Sequence, residues 1–320
     1  MSLITFTPKG FYCEKADVYI DPTRKVNKAI VTHAHSDHAR SGHKWYLCSE
    51  RCKGPLTHRL GNIHVETLPF GQSIFMNGVK ISLHPAGHII GSSQVRLEYK
   101  GEIWVISGDY KTEHDGFSIG YEPVKCTHFV SECTFGLPIY KWRTQEEVFH
   151  DINSWWSMNA SFNRTSVLQA YSLGKAQRLL QSVDHSIGPV YVHPGIAAHN
   201  RSIEAHGINL KPYEDLEKVV RPEVHALIIS PSSTTGPWFA QFEQLSEASA
   251  SGWMALRSNR RNRLIDRGFT LSDHADWGQL TEAIKLTEAE NIYVTHGYTQ
   301  AFSRWLKDLG LNAEAIYTQH

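Results

Sequence analysis

The sequence predicts an α/β protein, and two observations on its 320 residues support this. The first third consists of short strand-like segments, several of which alternate apolar and polar residues, with Gly, Asn or Pro between them. After about residue 140, amphipathic helical segments alternate with apolar strand-like segments, the pattern of a sheet whose strands are joined by helices. No internal repeat or low-complexity linker interrupts the chain, so any two domains are joined by ordinary turns.

The elements follow in chain order. The first third predicts strands over 17–20, 28–32, 44–48, 63–68, 79–85, 93–99 and 102–107. The rest predicts helices over 145–158, 174–184, 197–205, 277–288 and 299–309, with a further helix opening near Pro237. Strands are expected between them, over 166–170, 189–192, 225–230, 269–272, 291–295 and 313–317.

Composition excludes several classes of protein. Lys plus Arg and Asp plus Glu both total 32, so a polyanionic partner must be bound by a local patch and not by the whole surface. No apolar run approaches the ~20 residues of a membrane span, and the first ten residues lack a signal-peptide pattern. Five irregularly spaced cysteines suit reduced thiols, and we therefore expect a cytoplasmic protein. Nineteen histidines are far more than structure requires.

Four potential metal ligands follow the strand predicted over 28–32. They are His33, His35, Asp37 and His38, in the hexapeptide HAHSDH. On a loop that leaves a strand, such side chains can point toward two neighbouring metal ions. The alternative is a set of histidines on a solvated turn.

Three further candidates favour the metal site over that alternative. His88, Asp109 and His296 each come just after a predicted strand. Several strands of one sheet could therefore bring their ends to a single site. A set of imidazoles and carboxylates without thiolate is typical of a catalytic metal site.

These motifs carry a resemblance to a known family. Asp21 in YIDP, the HxHxDH motif at 33–38, His88 in AGH and Asp109 in GDY resemble the metallo-β-lactamase motifs. Glu132 in SECTFG, His274 in LSDHAD, His296 in VTHGY and the segment 170–179 resemble its nucleic-acid-processing β-CASP branch. The resemblance implies an αββα metallo-β-lactamase sandwich, made from 1–138 and 267–320, with an α/β β-CASP domain inserted over 139–266.

Two segments resemble one group more narrowly, the bacterial ligase-associated DNA exonucleases. They are ISPSSTTGPW at 229–238 and the segment 251–277. This implies metal-dependent hydrolysis of DNA, single-stranded or at duplex ends, exonucleolytic and in repair, alongside an ATP-dependent DNA ligase and a helicase. An RNA-processing nuclease, of the mRNA 3′-end or RNase J type, stays the alternative, because the branch's RNA enzymes carry a histidine at the position of His296. A non-catalytic binding subunit and a small-molecule hydrolase are disfavoured.

The resemblance also assigns roles to the site residues. His33, His35 and His88 would bind one divalent metal ion, Asp37, His38 and His296 a second, and Asp109 would bridge the two. Zn²⁺ is favoured, while Mn²⁺ or Fe also suits these ligands. Asp21 would orient a ligand such as His33 or His38.

The expected reaction uses a hydroxide held between the two ions, with Asp37 and Asp109 among the catalytic residues. His274 is the expected general acid for the leaving oxygen, with Glu132 holding its imidazole. The alternative for His274 is a surface histidine at the start of the helix over 277–288.

Substrate binding is expected at three places. Lys175 lies near the start of a helix, and Ser232 and Ser233 follow a strand in a segment that equally suits a helix cap. The segment 251–267 contains five arginines and one acidic residue, Asp266. The four arginines before Asp266 are expected to contact phosphates: Arg257, Arg260, Arg261 and Arg263. A solvated basic turn is the alternative for that segment.

Overall fold

The computed structural model describes residues 2–231, 237–256 and 265–316. The chain divides into two compact units. The first comprises 1–114, 118–141 and 274–320, and the second comprises 115–117 and 142–273. In the described ranges, no helix is long and apolar enough to cross a membrane.

Two sheets form the first unit. One has the order β1-β2-β3-β4-β5-β6, with strands Thr5–Thr7, Gly10–Cys13, Val18–Ile20, Lys28–Ile30, Trp45–Ser49 and Val65–Leu68. The other has the order β19-β18-β11-β10-β9-β8-β7. Its strands, in chain order from β7 to β11 and then β18 and β19, are Ser73–Met76, Val79–Pro85, Ser93–Tyr99, Glu102–Ile106, His128–Cys133, Asn291–Gly297 and Ala313–Ala315.

The core of the first unit lies between these sheets. Ile30 and Leu47 of the first sheet pack in one apolar cluster with Val95, Leu97 and Trp104 of the second. The helices of this unit are α1 (Lys53–Leu60), α5 (Trp277–Thr287) and α6 (Thr299–Asp308), and a 3₁₀ turn (Glu50–Cys52) precedes α1. A second cluster joins α5 and α6 to the second sheet through residues such as Phe129, Leu280 and Phe302.

The second unit is built on a parallel sheet with the order β14-β13-β15-β12-β16-β17. Its strands, from β12 to β17, are Thr165–Gln169, Val190–Val192, Glu214–Asp215, Leu227–Ser230, Leu245–Ala250 and Arg267–Phe269. The helices are α2 (Gln145–Ser161), α3 (Lys175–Ser182) and α4 (Pro194–Glu204), with 3₁₀ turns at Leu216–Lys218, Pro237–Gln241 and Gly252–Ala255. Its core includes the buried Trp155 and Trp156.

The predicted fold class is confirmed as a mixed α/β fold of metallo-β-lactamase type. The second unit comprises 115–117 and 142–273 and overlaps the segment 139–266. Strand β17 (Arg267–Phe269) pairs with β16 and belongs to the second unit, which ends at Asp273.

The strand order brings the predicted site residues to one edge. Strands β10, β11 and β18 are parallel neighbours, so their carboxyl ends lie side by side. Asp109, Glu132 and His296 lie at or just beyond those ends. Parallel strands thereby place three distant parts of the sequence at one site.

Candidate metal centre

Four predicted ligands form a first cluster. Single ligand atoms of His33, His35, His88 and Asp109 all lie within 4.8 Å of one another. His35 Nδ1 is 3.1 Å from His33 Nε2 and 3.1 Å from His88 Nε2. Asp109 Oδ2 lies 3.5 Å from His33 Nε2 and 3.7 Å from His88 Nε2. Three imidazoles and one carboxylate oxygen thus converge on one point.

A second cluster lies on the other side of the same carboxylate. It consists of Asp37, His38 and His296, whose ligand atoms also lie within 4.8 Å of one another. His38 Nε2 is 3.7 Å from Asp37 Oδ2 and 3.5 Å from Asp109 Oδ1. Asp109 therefore directs one oxygen to each cluster, which is the arrangement of a bridging ligand.

The spacing of these atoms fits a pair of divalent ions. Zinc binds imidazole nitrogen and carboxylate oxygen at about 2.0 to 2.2 Å in tetrahedral geometry, so neighbouring ligand atoms lie about 3.3 to 3.6 Å apart. The separations of 3.1 Å between the imidazoles of the first cluster and of 3.5 to 3.7 Å from Asp109 are close to that edge length. Hard oxygen and borderline nitrogen ligands suit Zn²⁺ and Mn²⁺ alike.

Burial and charge set the protonation of the site. Burial holds the pKa of His33 well below its usual range, so its imidazole is neutral and able to bind a metal ion. Burial opposes the charged form of His38 as well, but Asp109 and Asp21 outweigh it and raise the pKa of His38 well above its usual range. Burial would raise the pKa of Asp109, yet His38 and the other imidazoles keep it well below the usual range.

Asp21 supports the second cluster from behind. Its Oδ2 lies 2.7 Å from His38 Nδ1, on the side of the ring opposite the ligand nitrogen. The same carboxylate accepts hydrogen bonds from the backbone N–H of Thr32 at 2.8 Å and from its hydroxyl at 2.6 Å. Because Asp21 is 3% exposed, these contacts fix the ring of His38 with Nε2 toward the centre.

His296 sits on an unusual piece of backbone. Its φ is 54°, in the left-handed region, and Gly297 follows with a φ of 84°. A Cβ at position 297 would meet the carbonyl oxygen of Cys133, where the pairing of β11 and β18 shifts register. The irregular end of β18 turns the side chain of His296 into the cluster, and glycine leaves the space that this turn requires.

His274 and Glu132 form the third polar group of the site. His274 Nδ1 lies 2.8 Å from Glu132 Oε1, and both residues group with Asp109. Glu132 is 1% exposed, and it also accepts hydrogen bonds from the backbone N–H groups of Tyr110 and Thr134. An ionised carboxylate only accepts, so Nδ1 of His274 carries a proton and Nε2 is left for other chemistry. Asp276, and not His274, caps helix α5.

Lys175 is the first residue of α3, as the sequence predicts, and its side chain is buried. Its side chain is 4% exposed, and its ammonium lies 3.0 Å from Asp273 Oδ2. Arg178 is equally buried and pairs with Asp273 Oδ1 at 3.2 Å while donating to the carbonyl of Ser272. The two cations thus hold the residues that directly precede His274, and Lys175 is turned inward.

The other predicted substrate contacts lie outside the described residues. They are Ser232, Ser233, Arg257, Arg260, Arg261 and Arg263.

Three supporting residues escaped the sequence analysis. Thr32 binds Asp21, Arg178 binds Asp273, and Arg59 donates to the carbonyl of Ala34 at 2.7 Å inside the histidine-rich loop. Only Arg178 had a local signal, because it lies three residues after Lys175 on the same face of α3.

No family model matches the chain. It is similar to a probable DNA ligase of Opitutus terrae, 31% identical over 314 residues, which is 96% of this chain and 30% of that protein. It is also similar to cleavage and polyadenylation specificity factor subunit 3 of Dictyostelium discoideum, 27% identical over 38% of this chain and 16% of that protein. Endoribonuclease YSH1 of Saccharomyces cerevisiae is 25% identical over 38% of this chain and 15% of its own length.

The chain therefore spans less than a third of the length of each of these curated relatives. Among solved structures, a protein of unknown function from Enterococcus faecalis V583 superposes with a TM-score of 0.60. The match covers 91% of this chain and 79% of that one at 13% identity, and so speaks for the fold alone. The fold, the paired histidine–aspartate clusters and these relatives together support membership of the chain in the metallo-β-lactamase/β-CASP superfamily.

Proposed function

We propose that this chain is a metal-dependent phosphodiesterase that cleaves DNA, of the ligase-associated DNA exonuclease group. The observation that carries the proposal is Asp109, whose two carboxylate oxygens face two separate clusters of potential ligands. In this proposal the first unit is the metallo-β-lactamase domain and the second is the β-CASP domain. Two ions held there would activate water and offset the negative charge of a phosphodiester.

The other site residues have distinct proposed roles. His33, His35 and His88 hold one ion, Asp37, His38 and His296 hold the other, and Asp109 spans both. Asp21 keeps the ring of His38 in its ligating orientation through the 2.7 Å contact at Nδ1. Zn²⁺ is the proposed ion, and Mn²⁺ is the alternative that the same ligands accept.

His274 is the proposed general acid. Glu132 fixes its Nδ1, so a proton on Nε2 can be passed to the leaving oxygen of the nucleic acid. A carboxylate paired with the imidazole also stabilises its charged form, as it does in other catalytic histidine pairs. The His88 ring lies close by, with its centroid 4.6 Å from that of His274, so the acid stands beside the first cluster.

DNA is favoured over RNA as the substrate by the extent of the similarity. The relative named as a probable DNA ligase aligns over 96% of this chain, whereas the RNA-processing relatives align over 38%. The proposal includes a role in DNA repair, in the cytoplasm, alongside a DNA ligase and a helicase. The arginine-rich segment that includes Arg260 and Arg263 is the proposed phosphate contact, together with Ser232 and Ser233.

RNA hydrolysis stays the second candidate, because the RNA enzymes of the β-CASP branch carry a histidine at the position of His296. In this structure His296 belongs to the second cluster. One experiment tests both. End-labelled single- and double-stranded DNA and RNA of one sequence are incubated with the protein and Zn²⁺, Mn²⁺ or Mg²⁺, and the products are sized. The proposal expects stepwise shortening of DNA, lost in Asp109→Asn. Cleavage of RNA alone would reverse the substrate, and no cleavage with any of these metals would refute the proposal.

A further inference from the structure

Four lysines surround one depression on the surface of the first unit. The depression has a volume of about 470 Å³, and its lining includes Lys9, Lys25, Lys28 and Lys44. Asp17 is the one acid among its lining residues, so the local charge is 4 − 1 = +3. The whole chain has equal numbers of acidic and basic residues, which makes this a local concentration of positive charge.

Two tyrosines lie among these lysines. Tyr12 on β2 and Tyr19 on β3 are direct cross-strand partners, and their rings stack with centroids 4.3 Å apart and planes 26° apart. Burial, with the hydrogen bond to Asp17, raises the pKa of Tyr12 to about 12, so this ring is uncharged at neutral pH. Aromatic faces beside cations are the features on which nucleic-acid bases stack while their phosphates are held.

The backbone beneath the lysines is fixed. Lys9 accepts a hydrogen bond from Thr23 at its carbonyl, and the N–H of Lys44 donates to Val26. Gly42, with a φ of 92°, makes room for the stem of Lys25, because a Cβ there would come within 2.7 Å of Lys25 Cε. Segments from three parts of the sequence are therefore tied together with their cations around one depression.

Strand β4 links the depression to the metal centre. Lys28 is its first residue, and His33 lies five residues further along the chain. An extended chain advances about 3.3 to 3.6 Å per residue, so the two backbones are at most about 18 Å apart.

We propose that the depression lined by Lys9, Lys25, Lys28, Lys44 and the Tyr12–Tyr19 pair is a second binding site for a single nucleic-acid strand whose other part lies at the metal centre. The inference rests on the proposed function for the position of the strand's other part. The proposed surface is formed by residues other than those of the arginine-rich segment. The lysines hold phosphates, and the tyrosines offer a stacking face.

The test replaces the four lysines of the depression, which we call the patch lysines, by Ala, and this protein is the patch variant. A matched control replaces four exposed lysines elsewhere on the first unit, Lys53, Lys100, Lys285 and Lys307, so that the net charge changes equally. Fluorescence anisotropy measures the binding of labelled single-stranded oligonucleotides at several salt concentrations. The oligonucleotides are made both as DNA and as RNA, with non-cleavable phosphorothioate links. Lengths of about three and about twelve nucleotides are compared, because the longer strand has enough length and phosphates to contact the metal centre and the lysines together.

The parent should bind the longer strand more tightly, and the patch variant should lose about 10- to 100-fold of that affinity. The log–log salt slope should fall by about 0.7 for each lost phosphate contact, or about 3 for four. Binding of the short strand should change little, and the control should match the parent. A patch variant that binds the long strand like the control overturns the proposal, as does a parent that shows no gain with length.

Hydrolysis of bis(p-nitrophenyl) phosphate separates this inference from the proposed function. That small diester needs the metal centre and cannot reach the lysines, so the patch variant should hydrolyse it like the parent. Hydrolysis without lysine-dependent binding of the strand refutes the second site and leaves the proposed function standing. Lysine-dependent binding by a parent that hydrolyses no diester keeps the second site and refutes the proposed function.

Discussion

His274 Nδ1 lies 2.8 Å from Glu132 Oε1, a contact between residues 142 positions apart in the sequence. The backbone N–H groups of Tyr110 and Thr134 hold the same carboxylate in place. This relationship gives the imidazole a fixed orientation beside the first cluster. It is the basis of the general-acid assignment.

The first prediction removes that acid. We expect His274→Ala to keep both metal ions and slow the hydrolysis of DNA by about 10²- to 10⁴-fold, because the leaving oxygen no longer receives a proton. The alkaline limb of the pH profile should change too. Hydrolysis of bis(p-nitrophenyl) phosphate, whose leaving group needs little protonation, should stay close to the parent rate. Equal loss on both substrates, or loss of metal, would make His274 a ligand or a structural residue.

The second prediction concerns the support of a ligand. Asp21→Asn removes the carboxylate behind His38 Nδ1, so the affinity for the second metal ion should fall about 10- to 100-fold. Competition with a chelating dye gives the two affinities. Glu66→Gln is the control, because Glu66 is exposed and pairs with the exposed His64. Unchanged affinity in Asp21→Asn would show that Asp21 does not position the ligand.

The third prediction concerns the buried pair of cations at Asp273. Asp273→Ala leaves Lys175 and Arg178 without this carboxylate, so the free energy of unfolding in urea should fall by about 3 to 5 kcal/mol. Asp308→Ala, an exposed acid at the end of α6, should change it by less than about 0.5 kcal/mol.

The same ion pair predicts the behaviour of Lys175. Lys175→Met should lower the stability of the protein and leave the salt dependence of DNA binding unchanged. A weaker salt slope with normal stability would instead make Lys175 a phosphate contact.

The fourth prediction is a pH dependence of stability that originates at His43. Burial lowers the pKa of His43 to about 4, and its Nδ1 accepts the N–H of Val26, between two of the patch lysines. The unfolded imidazole has a pKa of about 6.5, so the unfolded chain binds the extra proton below that pH. The stabilisation that comes from the neutral His43 is therefore fully present above pH 6.5 and is lost as the pH falls toward 4.

At pH 5 this effect lowers the free energy of unfolding by about 2 kcal/mol, because each pH unit below 6.5 removes about 1.36 kcal/mol. His43→Asn keeps an acceptor that does not titrate, so the drop in unfolding free energy between pH 7.5 and 5 should be smaller by that amount. Urea unfolding of the two proteins at both pH values measures it. An equal drop in both would assign the acid sensitivity to other groups.

The sequence indicated which side chains cluster better than it indicated what holds them in place. Four of the predicted ligands lie within six residues and the others follow strands, and these patterns, with the family resemblance, named the residues that the structure brings together. The ion pair of Lys175 with Asp273 joins residues 98 positions apart, and no local pattern indicates it. In the same way, the sequence of β17 alone does not reveal that this strand pairs with β16. The four patch lysines are likewise scattered over 36 residues.

Metal stoichiometry tests the two-metal centre most directly. The protein is saturated with Zn²⁺ and, separately, with Mn²⁺, dialysed, and analysed for bound metal per chain, in parallel with His296→Ala and the control His64→Ala. His64 is exposed and lies outside both clusters. A two-metal centre should hold two ions per chain in the parent and in the control, and one in His296→Ala. One ion per chain in the parent, or two in His296→Ala, would contradict it.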